Sequence, residues 1–242
     1  MHPGRSRRVW LFDLDNTLHD ASHAAFAPIS AAMTDYIVEH IGIEAQAAAA
    51  LRQQYWKRYG ATLLGMVRHH QVRAAHFLEQ THRLPGLETR VRSSAHDRAA
   101  LRGLAGRKYV LTNAPRRYAL RVLNALGLAA SFDAILSIED MAMFGHLRPK
   151  PDARMLRAVA ARLKVPPTRC VLVEDTLEHQ KAARGLGMTT VGMQRYLGGR
   201  FRGALANAAN AGAQRAEVGV HRCANPLYVC AKIKSLQSLH RV

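Results

Sequence analysis

Cysteine is scarce in this 242-residue chain: there are three, Cys170, Cys223 and Cys230. An odd number, widely spread, argues against a disulfide framework, and no Cys-x-x-Cys or Cys/His cluster has zinc-ligand spacing. Cys170 opens an apolar run and reads as core. Aromatic residues make up 6% of the chain, which leaves little surface for stacking bases. Acidic residues are also short, 17 against 35 Lys and Arg, for a net charge of +18. Such a balance permits nucleic-acid binding. The arginines, however, are scattered through Ala-rich segments rather than gathered in a block. They read as a solvated surface whose positive field draws in small anions, and nucleic acid is the lesser reading. No apolar run approaches the roughly 18 residues of a membrane helix. The run after the basic Met1–Arg8 stops at Asp13, short of what an export signal needs, so a cytoplasmic protein without a membrane partner is expected.

What is present is an apolar 48%, enough for one large domain or a core with an insert. Val9-Trp10-Leu11-Phe12 reads as a buried parallel strand, followed by Asp13, Leu14, Asp15, Asn16 and Thr17. Two carboxylates so close at a strand end repel each other unless a cation lies between them. Open α/β sheets place their sites at the carboxyl ends of strands. A metal-dependent acidic site is the expectation; the plainer alternative is an Asp/Asn-rich turn.

From about residue 22 to 84 the pattern is helical. Helices are expected over Ala24–Ile41, Glu44–Tyr59, Thr62–His69 and Arg73–Leu84, with Gly42, Gly60 and Pro85-Gly86 as punctuation. Then a βα rhythm resumes. A helix over Asp97–Leu104 precedes a strand Lys108–Leu111, and Pro115 opens a helix to Leu126. Ala134–Ser137 is a weaker strand, and Asp152 caps a helix to Leu163. The strand Cys170–Val173 ends at Glu174-Asp175, a helix starts at Leu177, and Thr189–Gly192 is read as the final strand. Such alternation predicts an α/β fold, a doubly wound parallel sheet of Rossmann-like type with an inserted helical domain. The expected boundaries are 1–18 and 91–242 for the core and 19–90 for the insert. Residues 197–219 read as a mobile connector, and Leu227–Leu239 regains helical spacing.

Asp13/Asp15, Thr112/Asn113, Lys150 and Glu174/Asp175 thus fall at strand ends or in the loops after them. Four carboxylates, a hydroxyl beside an amide, and one cation suit phosphoryl transfer, which needs hard oxygen ligands for magnesium and positive charge around the phosphoryl oxygens. In this order the four segments resemble the motifs of the haloacid dehalogenase superfamily, over about residues 9–193. The helical insert resembles that superfamily's cap. Within it the chain is most similar to the pyrimidine 5′-nucleotidases, through Tyr55-Trp56-Lys57-Arg58-Tyr59-Gly60, Leu64–His70, Thr112-Asn113-Ala114, and a terminal segment around Asn225-Pro226-Leu227-Tyr228-Val229. That subfamily often carries a polar or acidic residue where this chain has Leu227.

The resemblance implies roles. Asp13 would be the nucleophile, and Asp15 the acid and then the base. Thr112 and Asn113 would hold phosphate oxygens, and Lys150 would offset charge. Asp13, Asp175 and the Asp15 backbone would bind Mg2+, with Glu174 supporting the metal's waters. The substrate implied is a small phosphorylated metabolite, a nucleoside monophosphate such as UMP or CMP, with Tyr59, Arg68 and His70 as specificity residues. A sugar phosphate or phosphoglycolate is the alternative substrate. Dehalogenation fits less well, since that branch lacks the second carboxylate supplied here by Asp15. Taken singly, Lys150 is an ordinary loop lysine, Glu174-Asp175 a helix-entry acidic pair, and Tyr55, Trp56 and Tyr59 helix packing.

Overall fold

The computed structural model describes residues 8–92, 94–196 and 230–242. Strand β1 (Val9–Phe12) leads into the helices α1 (Ala21–Ala24), α2 (Phe26–Ile41), α3 (Ala45–Tyr59), α4 (Thr62–His70), α5 (Ala74–Thr81) and α6 (Leu87–Arg90). Next come α7 (Ala95–Gly103), β2 (Arg107–Leu111), α8 (Arg116–Leu126), β3 (Ala134–Leu136) and the short hairpin strands β4 (Ala142–Met143) and β5 (His146–Leu147). The chain continues through α9 (Ala153–Arg162), β6 (Cys170–Glu174), α10 (Leu177–Gly185) and β7 (Thr189–Met193), and the last strand is β8 (Ala231–Ile233). Six strands form one parallel sheet in the order β3-β2-β1-β6-β7-β8, so β1 is central, and the strand order reverses beside it.

The two-residue period of the strands explains the layers. Along β1, Val9 and Leu11 join a cluster with Cys170 and Leu172 of β6 and with Met155, Leu156 and Val159 of α9. Trp10 and Phe12 join the opposite cluster, with Val171, Val173, Leu101 of α7 and Val122 of α8. A sheet buried on both faces is the doubly wound arrangement that the apolar runs imply. Cys170 is fully buried in the first cluster, as expected.

Helices α2 to α5 gather around a third cluster that includes Tyr36, Ile37, Tyr55, Met66 and Phe77. Its closest packing is at Gly65, where a Cβ would lie 2.1 Å from the Tyr55 ring. Only glycine lets that ring rest directly on the α4 backbone. The passages between sheet and helices pack with the sheet: Ala24, Ala25, Ile29, Leu84, Leu87 and Val91 all belong to the second cluster. Arg121 of α8 ties one passage down. Its Nε and Nη2 donate to the Glu88 carboxylate at 2.6 and 3.0 Å, and Nη2 also donates to the Leu84 carbonyl at 2.9 Å. Among the described residues no helix is long and apolar enough to cross a membrane.

Three expectations are corrected. The last strand is β8, not β7. The apolar spacing over Leu227–Leu239, read as helical, becomes within its described part, residues 230–239, β8 and a 3-10 turn over Leu236–Arg241. A 3-10 turn aligns residues three apart, which buries Leu236 and Leu239 together. Helix α7 starts two residues early because the Ser94 hydroxyl accepts the Asp97 N–H. The β4–β5 hairpin was not foreseen, since two-residue strands carry no readable alternation; Phe144 and Gly145 turn it with φ of 50° and 76°. Residues 197–219, expected as a connector, and the 225–229 segment lie outside the described residues.

Candidate active site

The sheet brings the predicted segments together. Phe12 pairs with Val110 of β2 and Val173 of β6, so the next residues on each strand emerge side by side. Asp13 donates its N–H to the Val173 carbonyl at 2.9 Å, which puts its carboxyl beside Glu174. Lys150 arrives from the loop before α9. Its N–H donates to Asn113 Oδ1 at 2.9 Å, and its carbonyl accepts Asn113 Nδ2–H at 3.0 Å. This two-bond clamp fixes the loop against the end of β2. The Lys150 ammonium, 1% exposed, then donates to Asp13 Oδ1 at 2.7 Å and to Glu174 Oε2 at 2.8 Å.

Glu174 is engaged at both oxygens. Oε1 accepts the Thr176 N–H at 3.1 Å, and Oε2 lies 3.1 Å from His179 Nδ1 as well as beside Lys150. Expected to support a metal's waters, it also anchors the lysine. Thr112 Oγ1 accepts the Ala114 N–H at 3.0 Å, so its own proton remains available to donate. Asp13, Glu174 and Asp175 are buried and offer oxygens within 4.8 Å of one another.

One lysine cannot balance this cluster. Burial, with Glu174, Asp175 and Asp15, pushes the Asp13 carboxyl up to about 8 against the pull of Lys150. Although burial alone would raise Glu174, Lys150 and His179 hold it well below the carboxylate range. The ammonium, despite its burial, is held above its usual value by Asp13 and Glu174. A proton on Asp13 is what remains when negative charge exceeds positive charge in a dry site. A divalent cation bound by hard oxygens relieves the same excess, so the donor set fits one.

Asp15 stands apart from that cluster. After Asp13 the chain turns through Asn16 at φ 58°, a left-handed conformation that Asn tolerates, and Asn16 Oδ1 accepts the Ser22 N–H at 3.0 Å. The turn carries Asp15 toward α8. There Asp15 Oδ1 accepts the Tyr118 hydroxyl at 2.7 Å and His19 Nε2–H at 2.8 Å. Sequence reading missed both partners. His19 follows Asp15 by four residues, a spacing that could have raised it; nothing local marks Tyr118.

Tyr118 also lines a cavity of about 610 Å³ between α5 and α8, with Leu78, His82, Arg83, Arg117 and Glu139 among its walls. Burial lowers the His82 imidazole to about 4, although Asp15 and the Leu78 carbonyl pull it upward. Glu139 accepts the Arg116 N–H at 3.0 and 3.1 Å and so caps α8, whose N-cap Pro115 has no side-chain acceptor. The three predicted specificity residues are not in this wall. Tyr59 shares a 2.6 Å hydrogen bond with His69, Tyr55 a 2.7 Å one with His70, and Arg68 lies 5.9 Å from the Tyr59 ring centroid.

Comparison with known proteins follows the same lines. Residues 8–187 match the model of the haloacid dehalogenase-like hydrolase family. The chain is 25% identical over 144 residues to "Phosphate metabolism protein 8" of Saccharomyces cerevisiae, across 55% of this chain and 44% of that protein. The match therefore spans less than half of that relative. Among solved structures, a phosphatase from Thermococcus onnurineus superposes with a TM-score of 0.57 at 18% identity, covering 97% of this chain and 96% of the other. CbbY from Rhodobacter sphaeroides, in complex with phosphate, gives 0.58 at 19% identity, with 96% of each chain covered. An L-2-haloacid dehalogenase from Xanthobacter autotrophicus gives 0.54 at 15%, with 97% of each covered. At such identities the likeness is one of fold.

Proposed function

This chain belongs to the haloacid dehalogenase-like hydrolase family, and on that premise we propose that it hydrolyses small phosphomonoesters, nucleoside 5′-monophosphates and the pyrimidine pair UMP and CMP foremost. The observation that carries the phosphatase reading is Asp15, two residues past the nucleophile and held 2.7 Å from the Tyr118 hydroxyl. A halide leaves without a proton. An alkoxide needs one, so a second carboxyl following the nucleophile serves ester cleavage.

In this reading an Asp13 oxygen attacks phosphorus and forms an aspartyl-phosphate, while the Asp15 carboxyl gives its proton to the departing nucleoside oxygen. Asp15 then takes a proton from water, the water oxygen attacks the phosphorus, and the bond to Asp13 breaks. Phosphate leaves and Asp13 is restored. Lys150 stays at Asp13 throughout and opposes the charge of the phosphoryl group. The Thr112 hydroxyl and the Asn113 backbone N–H hold phosphoryl oxygens, the Asn113 side chain being committed to Lys150. Asp13, Asp175 and the Asp15 carbonyl would hold magnesium, which when bound supplies positive charge to the phosphoryl oxygens. Glu174 anchors Lys150.

The helices of residues 19–90 act as the cap, and the cavity beneath α5 receives the leaving group. Its volume and its apolar and aromatic walls suit a nucleoside. Among the described residues the thiols of Cys170 and Cys230 are free, which suits a reducing cytoplasm. Phosphate release with magnesium, from UMP, CMP, dTMP, AMP, GMP, sugar phosphates and phosphoglycolate, tests the reading. Preference for pyrimidine monophosphates supports it. Release from sugar phosphates alone would retain the mechanism and replace the substrate. No release from any ester would remove the phosphatase reading.

A further inference from the structure

We propose that His19 and Tyr118 are positioning residues that hold Asp15 by one oxygen and reserve the other for proton transfer to the leaving group. The inference rests on the phosphatase reading above. Both donors converge on Oδ1, at 2.7 Å from the Tyr118 hydroxyl and 2.8 Å from His19 Nε2. Two donors on one oxygen fix the rotation of the carboxyl group, and Oδ2 is the oxygen they leave for the substrate.

Both partners are built to stay in place. Each is about 1% exposed, so neither exchanges its hydrogen bond with bulk water. His19 is further fixed by a backbone bridge to Asp15. Tyr118 sits in the first turns of α8, packed against the same apolar cluster as the sheet, and its ring meets His82 edge-on at 5.7 Å.

His19 Nδ1, buried, finds no hydrogen-bond partner among the described residues. The hydrogen bonds the ring makes among the described residues run through Nε2. A buried imidazole with one nitrogen unused is a costly way to fill space, since an apolar residue would fill it without the orphaned atom. Sequence spacing alone would make His19 an ordinary core histidine; its convergence with Tyr118 on one carboxylate oxygen gives it a function.

General acid help matters in proportion to how badly the leaving oxygen needs a proton. A nitrophenolate departs unaided, whereas a nucleoside alkoxide does not. The test therefore compares the single-turnover rate of leaving-group release, which ends at the aspartyl-phosphate, together with KM, on 4-nitrophenyl phosphate and on UMP for wild type, His19→Ala, His19→Gln and Tyr118→Phe. A misplaced acid should cost about 10–100-fold in uridine release from UMP, at least tenfold more than in nitrophenolate release, with KM changed less than about threefold. His19→Gln, whose amide nitrogen stands where Nε2 does, should recover most of the loss. Equal losses on both esters, or His19→Gln no better than His19→Ala, would overturn the inference while leaving the phosphatase standing. A wild-type protein inactive on every ester would overturn both. Unfolding curves and the residual 4-nitrophenyl phosphate rate separate misfolding from misplacement.

Discussion

The two polar regions of this molecule are built on opposite principles. At the strand ends, Asp13, Glu174 and Lys150 are buried, within 2.8 Å of one another through the ammonium, and short of positive charge. Their positions follow from the sheet: the β1–β6 pairing sets Asp13 beside Glu174, and the Asn113 clamp at the end of β2 sets Lys150. Under the helices, Tyr55, Tyr59, His69 and His70 bond to each other, and the cavity beside Tyr118 is walled by side chains from α5, α8 and the 3-10 turn that carries Glu139. Among the described residues no strand pairing fixes those positions; helix packing and side-chain bonds do. On the function proposed above, chemistry falls to the rigid, sheet-built half and selectivity to the adaptable, helical half. Substitutions should separate the two.

The largest effect belongs to Asp13. Asp13→Asn should lower turnover by at least about a thousandfold, because the amide cannot form the covalent intermediate. Single-turnover phosphate release checks it, and a rate near wild type would rule out the covalent route. Lys150→Met comes next. It leaves two buried carboxylates facing each other, and removing one partner of a buried pair costs about 3–5 kcal/mol. Denaturant unfolding without a divalent cation should show that loss, and magnesium should return part of it. A loss below about 1 kcal/mol would mean that the carboxylates are less sequestered than their burial implies.

The contrast also explains what could be read in advance. The sheet core was legible because each strand carries an unbroken apolar run and each site residue directly follows one: Asp13 after Phe12, Thr112 after Leu111, Glu174-Asp175 after Val173. Lys150, between two prolines, was legible only through the company of the other segments. Asp15's partners were not, because His19 and Tyr118 are 99 positions apart and meet only when α8 packs on the sheet. The cap residues Tyr59, Arg68 and His70 were chosen by resemblance, and helix-surface residues carry no period that says which way a groove opens. The hairpin and β8 escaped because their strands are three residues long or less, and the 3-10 terminus because its three-residue repeat resembles helical spacing.

His82 offers a readout on the adaptable half. Its folded value is about 4 against an unfolded value near 6.5. Between those values the unfolded chain takes up a proton that the half-buried ring refuses. Stability is therefore intact above pH 6.5 and falls as pH drops toward 4, by no more than roughly 3 kcal/mol. His82→Asn, which keeps a nitrogen near the Leu78 carbonyl, should flatten the difference in stability between pH 7 and pH 4. An unchanged slope would mean that the ring reaches water.

The smallest effect decides where the leaving group goes. Arg117 lines the cavity and makes no ion pair among the described residues. A guanidinium there suits the carbonyl oxygens of a base or the hydroxyls of a sugar. Arg117→Ala should raise KM for the preferred nucleotide about tenfold with kcat nearly unchanged, the signature of binding shared by ground and transition states. Arg68→Ala, on the surface beside Tyr59, should change KM less than about twofold, since its neighbours are already bonded to one another. The reverse order, Arg68 outweighing Arg117, would move the leaving group out of the cavity and onto the α3–α4 face, where the resemblance to pyrimidine 5′-nucleotidases puts it. The pair of KM values therefore says whether packing or family likeness is the better guide to this half of the molecule.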